Sequence, residues 1–212
     1  MTALARPLSR RTAMLLPLAA ACLAALAGCA EETPPPAVFE PLTFDYLPKL
    51  RLNVSSIDID NAWQPVTVPG ATHVESLAPV QPVDALRLMG QQRLVPAGSN
   101  GHAVMVIEDA SLLQLNGQYQ GTFQVRLDMT NGDGSKSGFA KASVTATRTI
   151  TDPSPDAARV ALYALVKQMM TDMNAEFEYQ IRKSLRDVLQ TDSSGPVAAP
   201  APVQSQDLAP PQ

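Results

Sequence analysis

The chain has 212 residues, 45% apolar and 17% charged, with 20 acidic against 16 basic side chains. That is enough for one ordinary domain, and it lacks the clustered Lys and Arg that nucleic acid demands. Nineteen prolines and 11 glycines leave the composition neither collagenous nor wholly disordered, and the long apolar run is N-terminal, which excludes a polytopic membrane protein.

Residues 1–28 open with Arg6, Arg10 and Arg11, run through apolar residues from Thr12 to Ala27 and end in small residues, the three-part logic of a secretory signal peptide. Pro17 and the shortness of the run argue against permanent spanning, which needs about 20 apolar residues. The residues Leu26-Ala27-Gly28-Cys29 resemble the lipobox of bacterial lipoproteins. The resemblance implies cleavage after Gly28 and palmitate-type acylation of Cys29 on its sulfur and its new amine. Each buried methylene of an acyl chain contributes about 0.8 kcal/mol, so several chains on one residue make a durable membrane anchor. The other cysteine, Cys22, lies in the segment to be removed, so the mature chain is expected to carry no intramolecular disulfide. Ala30 and Glu31 follow Cys29 where the family's retention signal has an aspartate, which implies the outer membrane, facing the periplasm. Removing residues 1–28 leaves 13 basic against 20 acidic residues, a balance that is not drawn to anionic lipid surfaces.

Residues 29–48 are rich in proline and read as an extended tether. Residues 49–190 form the expected domain, and 191–212, an Ala, Pro, Ser and Gln tract, are expected to be disordered. Within the domain, Leu50 to Ile59 alternate apolar and polar with one slip at Ser55-Ser56, which predicts a strand with a bulge. Pro82 opens a short helix in which Val83, Leu86, Met89 and Leu94 recur at helical spacing up to Pro96. His102 to Leu115 is β-rich, and Asn116-Gly117 predicts a tight hairpin turn because both central residues of such a turn need positive φ. Phe123, Val125, Leu127 and Met129 share one face of the next strand, and Ala140, Ala142, Val144 and Ala146 one face of a third. Pro155 opens a long amphipathic helix bearing Leu162, Val166, Met169, Met173, Phe177, Ile181, Leu185 and Val188.

The order β-α-β-β-β-α with one-sided strands predicts an α+β two-layer sandwich, a mostly antiparallel sheet covered by two helices. The order, the lipobox and the address together resemble small accessory lipoproteins of envelope transport systems, including the auxiliary lipoproteins of certain ABC transporters.

No chemical motif emerges. His73 and His102 stand alone without HExxH or ligand spacing and read as surface or strand-end residues. Asn131-Gly132-Asp133-Gly134 fails as a calcium loop, with Met129 where the first carboxylate belongs, and reads as a turn. Asp58 and Asp60 share one face of a strand and read as a solvated strand end rather than an acid–base pair. Glu108-Asp109 reads as a charged step at a bulge, Trp63 as a core plug or loop anchor, and Met169, Met170, Met173 and Met89 as core. The sequon at Asn53 matters only in a eukaryotic secretory route.

The apolar stripe of the last helix advances by about 3.7 residues per turn, so it rotates away from the core at its far end. Ile181, Leu185 and Val188 are therefore candidates for an accessible apolar patch facing a partner or a second copy, unless curvature keeps them on the core. The expected function is a non-enzymatic envelope lipoprotein, an accessory or assembly subunit of a transport or outer-membrane system, with no cofactor, metal or nucleic acid. A lipid or apolar-ligand carrier and an enzyme of unrecognised type are the alternatives.

Overall fold

The structure, a computed structural model, describes residues 37–130, 132 and 137–186. The signal segment, Cys29, Val188 and the tail from 191 lie outside them. The chain is an α+β fold: a five-stranded sheet with two helices on one face. In chain order the strands are β1 (Leu50–Leu52), β2 (Ser56–Asn61), β3 (Thr72–His73), β4 (Leu94–Pro96), β5 (His102–Leu115), β6 (Gln118–Thr130) and β7 (Ser137–Thr149), and the helices are α1 (Pro82–Arg93) and α2 (Pro155–Ser184). The main sheet runs β2-β5-β6-β7, parallel between β2 and β5 and antiparallel beyond; β3 is antiparallel to the far end of β5.

The slip at Ser55-Ser56 is a break between sheets. β1 leaves the main sheet and pairs in parallel with β4, Leu50 opposite Leu94 and Leu52 opposite Pro96. Leu94, expected in the helix, is instead the first residue of β4, because the Pro96 ring and the pairing with β1 favour extended backbone there. Ala97 and Gly98 clasp the corner, donating to the carbonyls of Leu52 and Val54. Backbone approaches so closely that a Cβ on Gly98 would lie 2.6 Å from the Asn53 carbonyl carbon and 2.7 Å from the Val54 nitrogen. Only glycine fits.

The Asn116-Gly117 turn has φ of 50° and 73°, the left-handed geometry that joins twisted antiparallel strands. The ladder of β5 with β6 shifts register between Ile107 and Asp109, a bulge at Glu108. The extra residue keeps Ala103, Met105 and Ile107 before it, and Ala110 and Leu112 after it, on the buried face. On β6, Tyr119, Phe123, Val125, Leu127 and Met129 are buried, while the alternate residues face outward. Met89, Met169, Met170 and Met173 are core residues with at most 1% exposure.

α2 begins at Ser154, whose hydroxyl accepts from the Ala157 N–H at 3.4 Å, with Pro155 at the first helical position. At its far end the helix keeps its stripe on the core, the alternative to an accessible patch. Ile181 is 0% and Leu185 2% exposed, so neither contributes to an accessible patch. The helix runs along β6 and β7 rather than across them. Met169 packs over Gly121, and Leu185 packs over Gly138, the ladder partner of Met129. From Met169 to Leu185 the helix rises about 24 Å, and from Gly121 to Met129 the strand rises about 27 Å, so helix and strand keep pace to the end. The stretch read as tether also reaches the fold: Phe44 is 4% exposed, and its N–H donates to Gln92 Oε1 at 2.6 Å.

Candidate functional site

Three regions gather chemistry-bearing side chains. The first is an apolar groove of about 530 Å³ at the hairpin end of the sheet. A short 3-10 turn at Glu75–Leu77 supplies Leu77 and leads into Ala78 and Pro79. Tyr119 comes from the start of β6, Ile150 and Pro153 follow β7, and Ala158 and Arg159 belong to the first turns of α2. Prolines before α1 and α2 set these walls, because their fixed φ starts a helix and prevents the preceding segment from joining one. Leu77 is 51% exposed over this groove. A second groove of about 400 Å³, lined by Phe39, Leu42, Val80 and Leu88, shares Pro79 with it. Between them the Arg159 guanidinium lies 5.3 Å from the Phe39 ring, and Phe39 is tilted against Tyr163 at 5.2 Å.

The second region is a polar groove of about 540 Å³ on the sheet's open face, lined by Trp63, His73, Glu108, Asp109, Ser111 and Thr122 among others. The bulge aims Glu108 at three neighbours. Its carboxylate accepts from Gln124 Nε2 at 2.7 Å and pairs with Lys141 Nζ at 2.9 Å and the Arg126 guanidinium at 3.5 Å. The Lys141 hydrogen bond, opposed in part by burial, holds this carboxyl below the usual range. Asp109 accepts from the Ser111 N–H at 2.9 Å and shapes the bulge. Trp63 is half-buried and its backbone N–H donates to the Ile107 carbonyl, which anchors the loop after β2.

His73 ends β3 and meets two acceptors, Glu75 Oε1 at 2.8 Å from Nδ1 and the Val66 carbonyl at 2.9 Å from Nε2. Only an imidazolium donates to both at once. The Glu75 hydrogen bond first, and the Val66 carbonyl second, raise its pKa above 6.5. Glu75 is itself buried, and the same Oε1 accepts from the Leu112 N–H at 2.8 Å, completing with a side chain the ladder that β3 leaves short. His102 opens β5 and touches Ser56 Oγ at 3.0 Å and Asp58 at 3.5 Å. Asp58 and Asp60 are both exposed on β2, a solvated strand rather than a pocket.

The third region is structural. Arg93 is 1% exposed and holds α2 to α1 through Asn174 and Glu178. Among the described residues no group of three or more His, Cys, Asp or Glu is placed to hold a metal ion, and no helix is long and apolar enough to cross a membrane. Sequence reasoning passed over Leu77, Arg159, Glu75 and Arg93. For the apolar groove a signal existed in Pro79, Pro82, Pro153 and Pro155, which punctuate the chain at both of its walls.

No family model matches the chain, and no curated protein matches it. Among solved structures, a DUF330 family protein from Xanthomonas campestris aligns with a TM-score of 0.36 and 12% identity, covering 72% of this chain and 96% of that one. A PelC dodecamer from Paraburkholderia phytofirmans aligns with a TM-score of 0.25 and 13% identity, covering 68% of this chain and 96% of that one.

Proposed function

We propose that the chain is a lipid-anchored subunit of the bacterial envelope, acting without catalysis as an accessory or assembly component of a transport or outer-membrane system. The observation that carries this reading is the sequence Leu26-Ala27-Gly28-Cys29, directly after a basic and then apolar leader and directly before a proline-rich stretch. A polar sheet face, with Glu108, Lys141, Arg126 and Asp128 cross-linked by ion pairs, adds a surface suited to a wet, reversible protein contact.

Labelled fatty acid fed to cells tests the anchor, and affinity capture of the mature protein from its own envelope tests the partner. The reading expects label in the wild-type chain, none in Cys29→Ala, and loss of captured envelope components in that variant. A mature mass without acyl chains would overturn it.

A further inference from the structure

We infer that the apolar groove between the 3-10 turn and the start of α2 binds an acyl chain of a membrane phospholipid with a zwitterionic, amine-bearing headgroup. The inference rests on the lipid-anchored reading and names a ligand for the domain that this reading tethers.

The groove has the chemistry of a chain-binding slot. Leu77, Ala78, Pro79, Ile150, Pro153 and Ala158 offer hydrocarbon walls, and about 530 Å³ is within the range that encloses a small apolar ligand. Leu77 stands half exposed above those walls, an apolar side chain that an occupant would remove from water. The groove between sheet and helices that a larger carrier would need is filled by core residues such as Phe123, Phe177 and Met169, all 0% exposed.

The charges at the rim select the headgroup. Among the described residues Arg159 meets the Phe39 ring and no carboxylate, so its donors are open to a phosphate, for which a guanidinium is well suited. The start of α2 adds the positive end of its backbone dipole. Asp152 and Asp156, both exposed, adjoin the groove-lining Pro153 and Pro155 in the chain; Asp152 accepts from the Ser154 N–H at 2.8 Å, and Asp156 is the acceptor that remains for an ammonium. A guanidinium on the groove wall with carboxylates three and seven residues before it in the chain favours a headgroup carrying both signs over a purely anionic one.

The chain length limits how far this site can stand from an anchored Cys29. From Cys29 to Ala37 there are eight residue steps, at most about 29 Å of fully extended chain. Two residues later Phe39 is tilted against Tyr163 and lies under the Arg159 guanidinium. That length permits contact between the rim of the groove and a bilayer that holds an acylated Cys29.

The test uses the mature lipoprotein in vesicles of phosphatidylethanolamine doped with a diazirine-bearing acyl chain, with the crosslinked peptides mapped by mass spectrometry. Crosslinks are expected on residues 76–79 and 150–159. Leu77→Asp, which places a carboxylate among the apolar walls, and Arg159→Glu should each reduce them by about fivefold without lowering the melting temperature. Vesicles of phosphatidylglycerol should label less. Crosslinks confined to residues 30–36, spread over the open sheet face, or undiminished in both variants would overturn the inference. So would labelling that rises only after truncation at Gln190, which would assign the groove to the protein's own tail. Flotation of the same vesicles reads the anchor separately: a Cys29→Ala chain that floats like wild type defeats the anchored reading, while its crosslink map still judges the groove.

Discussion

Arg93, the last residue of α1, reaches Glu178 in the last third of α2, with its Nη2 2.5 Å from the carboxylate. The same guanidinium donates to the carbonyl and side chain of Asn174 at 3.0 and 3.2 Å and to the Pro48 carbonyl at 3.2 Å. A buried guanidinium is tolerable only while its donors are filled. Glu178→Ala is therefore expected to destabilise the domain by about 2–4 kcal/mol, less than the full loss of a buried partner because the carboxylate is partly open to water. Burial opposes ionisation of Glu178, but the Arg93 and Arg182 bonds outweigh it and its pKa is lowered. With the folded value below the unfolded one, its contribution is present above the ordinary carboxylate range and lost as pH falls through the folded value. Urea midpoints at neutral and strongly acid pH, for wild type and Glu178→Gln, check both the size and the direction.

The two acceptors around His73 set a dependence of opposite sign. Its folded pKa lies above 6.5, so the stabilisation is complete below the unfolded value of about 6.5 and is lost as pH rises through the folded value. The wild type should lose stability between mildly acid and mildly alkaline solution, and His73→Asn should lose much less. NMR titration of the two imidazoles gives the direct measurement; a His73 resonance titrating below that of a free histidine would contradict the arrangement.

Two glycines separate steric from torsional cost. A Cβ at Gly117 meets open space while φ is 73°, so Gly117→Ala should cost about 1 kcal/mol through backbone conformation alone. At Gly98 the clash is with backbone that cannot swing aside. Gly98→Ala is expected to cost more, roughly 2–3 kcal/mol, by opening the corner between β1 and β2. Thermal denaturation of the two variants side by side ranks them.

Leu185 is buried against Gly138. Leu185→Glu should consequently destabilise the domain by about 3 kcal/mol or more, the cost of a charge in an apolar site. Its association with any partner, measured below the shifted melting temperature, should be unchanged. A variant of near-normal stability that loses a partner would instead restore the docking role expected from the stripe.

The parts of the fold that were legible in the sequence are those whose side chains repeat. Phe123, Val125, Leu127 and Met129 alternate over enough residues to fix a face, and Pro155 with its long apolar stripe fixes a helix. β1, β3 and β4 have three, two and three residues, too few for any period. Their strand character comes from pairing with distant segments. Arg93 looks in sequence like a cation at a helix C-terminus, where solvent and the dipole would suffice; only the approach of α2 buries it. The drift assigned to Ile181 and Leu185 compared the helix with the sheet's width, whereas α2 lies along strands as long as itself. The groove residues come from four separated segments with no shared motif, so the prolines at its walls mark where the chain turns but not that the turns meet.

The bonds at the end of α1 also determine where a mechanical load would enter the domain. Gln92 holds the Phe44 N–H, Lys49 donates to the Gln92 carbonyl at 2.6 Å, and Arg93 holds the Pro48 carbonyl. All three lie ahead of β1. Tension arriving from the N-terminal side is thus taken up first by the α1 terminus and passed through Arg93 to Asn174 and Glu178 on α2. Strand β2 and the main sheet sit behind that clamp, so the open face is shielded from a pull that would otherwise peel its edge strand.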